Sequence, residues 1–222
     1  MKHNSIKILQ IILLLMTIVF SSITLVAEEK QDITPKQILI TNIKIFDGRS
    51  KVLKSGPVLI EGNLIKAIGS KVENIKNIET IDGGGRTLMP GLIDAHWHTM
   101  MSNISQNIAM TGNIGYINHV AAVGAKETLL RGFTTVRDMG GPVFGLKQAI
   151  DEGLVIGPRI YPSGALISQT SGHADFRPAT AAPESPGTPL SYAEQEGFFA
   201  LADGVPQVLK EPEKFFVREH HK

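Results

Sequence analysis

The chain has 222 residues, 42% hydrophobic and 19% charged, a globular composition that suits one domain or two small ones and excludes disorder as the main state. Lys and Arg number 22 against 21 Asp and Glu, and the resulting formal charge of +1 is too weak to recruit nucleic acid, so no such partner is expected. There is no cysteine, which excludes disulfides, thiolate nucleophiles and cysteine zinc sites and leaves His, Asp, Glu and modified Lys as metal ligands.

Lys2, His3 and Lys7 precede an apolar run from Ile8 to Val26 whose densest part, Ile11 to Phe20, is shorter than the roughly 20 residues that span a bilayer. Residues 1–27 therefore read as a signal peptide cleaved after Ala27, and the mature chain is expected to be periplasmic or secreted. An uncleaved N-terminal helix that anchors the chain is the alternative. With no lipidation cysteine, no stable membrane partner is expected after cleavage.

From Gln37 the runs Ile38 to Phe46, Pro57 to Glu61, Leu64 to Ile68 and Ile78 to Ile81 read as strands, punctuated by Asp47-Gly48, Glu61-Gly62-Asn63 and Asp82-Gly83-Gly84-Gly85. A small antiparallel sheet over residues 37–90 is expected. After Met89-Pro90-Gly91 the rhythm changes to β/α. Leu92 to Ala95 reads as a buried strand, Val120 to Leu130 as a helix, Thr134 to Arg137 as a strand, Phe144 to Asp151 as a helix and Arg159 to Ser163 as a strand. Tyr192 to Leu209 has helical character, and residues 211–222 have no apolar stripe and read as a disordered or aberrant tail. Gly83-Gly84-Gly85 is not a phosphate cradle, because strand-like Thr87-Leu88-Met89 follows it instead of a helix.

His96-Trp97-His98 follows the Leu92 strand. Side chains two apart in a strand share a side, so His96 and His98 can converge on one metal ion while Trp97 points away. By itself the pair reads equally well as two hydrogen-bonding imidazoles. Asp94 shares that side by the same parity, and a hydrogen bond orienting a neighbour suits it better than ligation.

The stretch Met89-Pro90-Gly91-Leu92-Ile93-Asp94-Ala95-His96-Trp97-His98-Thr99 resembles the amidohydrolase superfamily, whose first barrel strand carries Pro-Gly-Leu-Ile-Asp-x-His-x-His. The resemblance continues through Gly132-Phe133-Thr134-Thr135-Val136-Arg137-Asp138, then through Ser163 to Ser168 and Ser171-Gly172-His173-Ala174-Asp175. These last stretches are similar to the imidazolonepropionase and Xaa-Pro dipeptidase-like branch. The resemblance implies an α/β fold, a partial TIM-type (β/α) barrel over residues 91–210 preceded by a small β-sandwich segment. It also implies a metal-dependent hydrolase acting on carbon–nitrogen bonds of small amides or Xaa-Pro-type dipeptides. Zn²⁺ or another divalent metal, as one or two ions, is the implied cofactor, with His96 and His98 as first-strand ligands. Arg137 and Asp138 match a mainly structural motif, favouring a buried ion pair over a substrate contact. His173, in a Gly-flanked loop, reads as a substrate-pocket residue or as a plain loop histidine, and His119 as a solvated or capping residue that opens a helix.

Family members complete the metal centre with a carboxylated lysine from the fourth strand, histidines from the fifth and sixth and an aspartate from the eighth. About 130 residues follow Gly91, where a closed barrel takes about 250, and no catalytic acid-base residue is identifiable. The expectation is an N-terminal portion of a longer family member, ended by a frameshift or premature stop. The alternative is a catalytically inactive truncated remnant.

Overall fold

The computed structural model describes residues 35–72, 78–178, 180 and 189–209, so the expected signal peptide and the tail at 211–222 lie outside the described residues. The chain divides into two compact units, Met1–Leu88 and Met89–Lys222. Among the described residues no helix is long and apolar enough to cross a membrane.

The first unit holds β1 (Gln37–Thr41), β2 (Lys44–Ile45), β3 (Lys54–Ser55), β4 (Val58–Glu61), β5 (Leu64–Ile68), β6 (Glu79–Asp82) and β7 (Thr87–Leu88). They form two sheets, ordered β5-β4-β1-β6 and β3-β2-β7. The expected run from Ile38 to Phe46 breaks at Asn42, whose φ of 51° turns the chain between β1 and β2, and Asn42 Nδ2 donates to Asp82 Oδ1 at 2.8 Å. The expected purely antiparallel sheet is corrected. β1 pairs β6 and β2 pairs β7 in parallel, because each returning strand arrives by a long connection instead of a hairpin. Ile43, Ile45 and Val58 are buried with Ile40, Ile60 and Leu88 packed on them, so both sheets share one core.

The second unit alternates β8 (Leu92–Trp97), α1 (Gln106–Thr111), α2 (Ile114–Leu130), β9 (Phe133–Asp138), α3 (Phe144–Asp151), β10 (Arg159–Pro162), β11 (Leu166–Ser168), α4 (Tyr192–Gln195) and β12 (Phe199–Leu201). β10, β9 and β8 lie side by side in parallel, and β11 pairs β12 in parallel. No closed barrel forms among the described residues. α2 begins earlier than Val120 because Asn113 caps it, its side chain accepting from the Tyr116 amide at 3.2 Å. His119 therefore sits inside the helix, exposed, and does not open it. The buried stripe Ile117, Ala121, Ala125 and Thr128 has helical spacing, and Gly132 at φ 98° ends the turn that follows.

One face of the three-stranded sheet is covered: Val136 and Ile160 are buried in a core with Ile117, Ala121, Ala125, Val143 and Leu146. The other face presents Arg137 and Tyr161 to solvent. β8 was expected to be buried and central. It is instead the edge of its sheet, with Leu92 42% and Ile93 69% exposed, since no described strand pairs with its free side.

The expected helix from Tyr192 to Leu209 is also corrected. A capping box between Ser191 and Glu194 starts α4, but Gly197 at φ 80° follows and the chain enters β12. Phe198, Phe199, Ala200 and Leu201 are each at most 5% exposed, and burying each phenylalanine contributes about 1.5–3 kcal/mol, which outweighs helix continuation. Helical backbone resumes at 205–209.

Candidate functional site

The histidine pair sits where β8 ends. Register pairs Asp94 with Val136 and Trp97 with Asp138, a step of three residues against two, so Ala95 and His96 together oppose Arg137 in a β-bulge. Trp97 packs on the helix-covered core, and His96 is exposed. The imidazoles of His96 and His98 lie 5.3 Å apart between centroids at an interplanar angle of 75°, on the same side of the chain. The bulge breaks the simple parity by which Asp94 would share the side of His96. Asp94 acts on the backbone instead, its Oδ1 accepting from the His96 amide at 3.0 Å.

His98 is held from two directions. Its Nδ1 is 3.4 Å from Gly140 O, so the tautomer protonated at Nδ1 points that N–H at the carbonyl and leaves Nε2 free to ligate. Gly140 is needed for this approach, since a Cβ there would come within 2.3 Å of the Leu166 side chain. The next residue, Thr99, donates its amide to Asp138 Oδ2 at 2.7 Å, and Gly140 donates its own to Asp138 Oδ1 at 3.1 Å. Asp138 is fully buried, and burial pushes its carboxyl above the usual range against these donors and the nearby His98. The Thr99 hydroxyl lies alongside and favours the charged form, although it falls short of an aligned hydrogen bond.

The expected Arg137–Asp138 ion pair does not form. Neighbours along a strand point to opposite faces, so Asp138 turns into the core toward two amides while Arg137 stays exposed, without an ion pair among the described residues. Asp138 thus emerges as the residue that ties the two loops flanking His98, a role its motif position did not reveal.

His173 is exposed in the turn after β11 and makes no hydrogen bond or ion pair among the described residues. Around it lies a polar network the sequence did not signal. Asp203 accepts from the Thr170 amide at 2.7 Å and its hydroxyl at 2.6 Å, joining the loops after β11 and β12. Asp175 accepts from Arg177 Nε at 2.8 Å and Nη2 at 2.9 Å and from the Ser171 amide at 2.8 Å. The Arg177 guanidinium holds the Asp175 carboxyl well below the usual range, against the opposing effect of burial. An open cavity of about 420 Å³ beside this network is lined by Thr170, Asp203, Val205 and Val208, and His173 does not reach it.

Two converging imidazoles, one oriented by a backbone carbonyl, fit a borderline divalent cation as two of its donors. Among the described residues no group of three or more His, Cys, Asp or Glu gathers that could hold a metal ion. Two imidazoles by themselves would fill only part of a coordination shell.

A model described as the amidohydrolase family matches residues 87–211, more than half of the chain. The chain belongs to the amidohydrolase family. That family is generally dependent on divalent metal, and its relatives imply a TIM-type barrel for the second unit. Ochratoxinase of Aspergillus niger is 30% identical over 180 residues, 75% of this chain and 37% of its own length. A crystal structure of a prolidase complexed with N-methylphosphonate-L-proline is 33% identical at a TM-score of 0.70, over 83% of this chain and 45% of that one. A Xaa-Pro dipeptidase with bound methionine in the active site is 29% identical at a TM-score of 0.62, over 79% of this chain and 43% of that one. The chain thus spans less than half the length of these relatives.

Proposed function

We propose that this amidohydrolase-family chain belongs to a metal-dependent hydrolase of carbon–nitrogen bonds in small amides or Xaa-Pro-type dipeptides, with His96 and His98 as two donors to Zn²⁺ or a similar ion. The observation that carries the reading is the convergence of these rings at the C-terminal end of a parallel β/α strand, where barrel enzymes keep their chemistry. Held there, a divalent cation supplies Lewis-acid activation of water and of the scissile carbonyl. The chain's own residues supply placement: the Ala95–His96 bulge turns one imidazole out, Gly140 O aligns the other, and Asp138 pins the backbone beside it. The domain reading that goes with this is a β-sandwich segment at 37–90 and a barrel portion at 91–210. His173 is kept as a substrate-side residue by its place in a loop after a parallel strand. Export is part of the proposal, on the basic flank and apolar run of residues 1–27, and places the protein in the periplasm or outside the cell.

A second reading, a chain without hydrolase activity of its own, is favoured by the lack of a third gathered ligand among the described residues. One experiment separates the parts. Purified chain is titrated with Zn²⁺ against a chromophoric chelator, alongside the His96→Ala/His98→Ala double variant, and both are assayed on dipeptides and cyclic amides. Weak zinc binding present in the wild type and absent from the double variant is expected, with no measurable turnover by the chain alone, since losing an acid-base group typically costs about 10²–10⁴-fold. Equal zinc binding by the two proteins refutes the metal assignment. Metal-dependent turnover that the double variant lacks refutes the second reading.

A further inference from the structure

Arg137 lies mid-row on the open sheet face. Register sets it opposite the Ala95–His96 bulge on one side and Tyr161 on the other, with adjacent strands about 4.8 Å apart. The alternation along β9 is decisive: Val136 and Asp138 are fully buried on the helix side, while Arg137 between them is exposed. Tyr161 is 58% exposed, giving the guanidinium an aromatic neighbour on the same face. No acid among the described residues pairs with Arg137, whereas two other guanidinium groups of this unit are met by acids, Arg177 by Asp175 and Arg131 by Glu127. A guanidinium presented beside a metal-type histidine pair, next to an exposed aromatic ring, is arranged for a small ligand that carries an anion at one end and an apolar body at the other.

We propose that Arg137 is a specificity residue that receives the substrate carboxylate, with Tyr161 against the adjoining apolar ring or side chain. This inference rests on the proposal that His96 and His98 mark the reaction site, and it narrows the substrate class to amides whose leaving or acyl part ends in a free carboxylate, as a dipeptide does. The guanidinium fork donates two parallel N–H···O contacts to one carboxylate, which a lysine ammonium cannot reproduce.

The test is binding, not turnover. The purified full chain, with chelator present so that no cation attracts the acid, is titrated by NMR with N-acetyl-L-proline and with its uncharged amide. The wild type is expected to prefer the acid by about fivefold, the upper range for an exposed charge pair. Arg137→Gln is expected to bind both probes equally, and Arg137→Lys to keep part of the preference. Circular dichroism reports whether each variant folds. Should Arg137→Gln not fold, the wild-type preference must vanish at about 1 M salt, where the screening length is about 3 Å. Equal binding of both probes by the wild type, binding of neither, a preference that survives Arg137→Gln, or one insensitive to salt overturns the proposal. Zinc titration of the histidine double variant is scored separately, so loss of the metal reading and loss of the Arg137 reading are distinguishable.

Discussion

Asp138 offers the sharpest perturbation of the site's scaffold. Its carboxylate accepts the Thr99 amide on one oxygen and the Gly140 amide on the other, so Asp138→Asn keeps one acceptor and turns an NH₂ toward the remaining N–H. The lost charge-assisted bond is worth about 1.5–3 kcal/mol, and the facing donors leave a buried amide unsatisfied at about 1–3 kcal/mol more. Against this, removing the charge recovers the desolvation that already pushes the carboxyl upward. The net expectation is about 2 kcal/mol for Asp138→Asn and about 4 kcal/mol for Asp138→Ala, which orphans both amides and opens a cavity. For a unit of this size the Asn variant corresponds to a Tm lower by about 6 °C. The chain provides its own reporter. Trp97 is its single tryptophan, packs on the same core and opposes Asp138 in register, so its fluorescence during urea unfolding follows this region directly. A midpoint unchanged in Asp138→Asn, or an Ala variant no less stable than the Asn variant, would refute the view that Asp138 is held by its two amides.

Asp175→Asn tests the loop network after β11. Its carboxyl is held below the ordinary value near 3.8 by Arg177, so the stabilisation is complete above that pH and is lost as pH falls below it. The variant is expected to be about 2 kcal/mol less stable at pH 7, with a gap narrower by about 1 kcal/mol at pH 3. A gap constant between the two pH values in urea titrations removes the Arg177 explanation. Export predicts that mass spectrometry of secreted chain finds Glu28 as its first residue, and an intact Met1 on exported protein sinks the cleavage site.

What was legible in the sequence were elements whose signal is local. α3 spans the expected Phe144 to Asp151, and β9 and β10 fall within a residue of their apolar runs, because alternation and helical spacing are properties of neighbouring residues. What was not legible depends on partners. The four buried residues from Phe198 to Leu201 carry no period, and a short apolar run reads equally as strand or helix until a neighbour such as β11 defines it. The parallel pairings of β6 and β7 likewise depend on where a long connection returns.

The histidine pair shows both sides of this division. Its spacing was readable, yet the spacing argument assumed an unbroken strand, and β8 carries a bulge between Asp94 and Trp97. The bulge exists because β8 advances three residues while β9 advances two, a mismatch that no window of β8 alone contains. Its consequence is chemical. A regular strand would have set the Asp94 carboxylate beside the His96 imidazole, where an anion next to a ligand competes for the same cation or the same proton. The extra residue removes Asp94 from that parity and leaves it accepting the His96 amide, so the carboxylate fixes the turn of the chain and the imidazole is left facing Arg137 across the sheet. The exposed face thereby carries imidazole and guanidinium in one row, while the carboxylates of Asp94 and Asp138 are each committed to backbone amides. Among the described residues no acid pairs with this guanidinium beside the two imidazoles, and on the proposals made for Arg137 and the histidine pair that pattern makes a carboxylate-bearing amide the substrate class to test first.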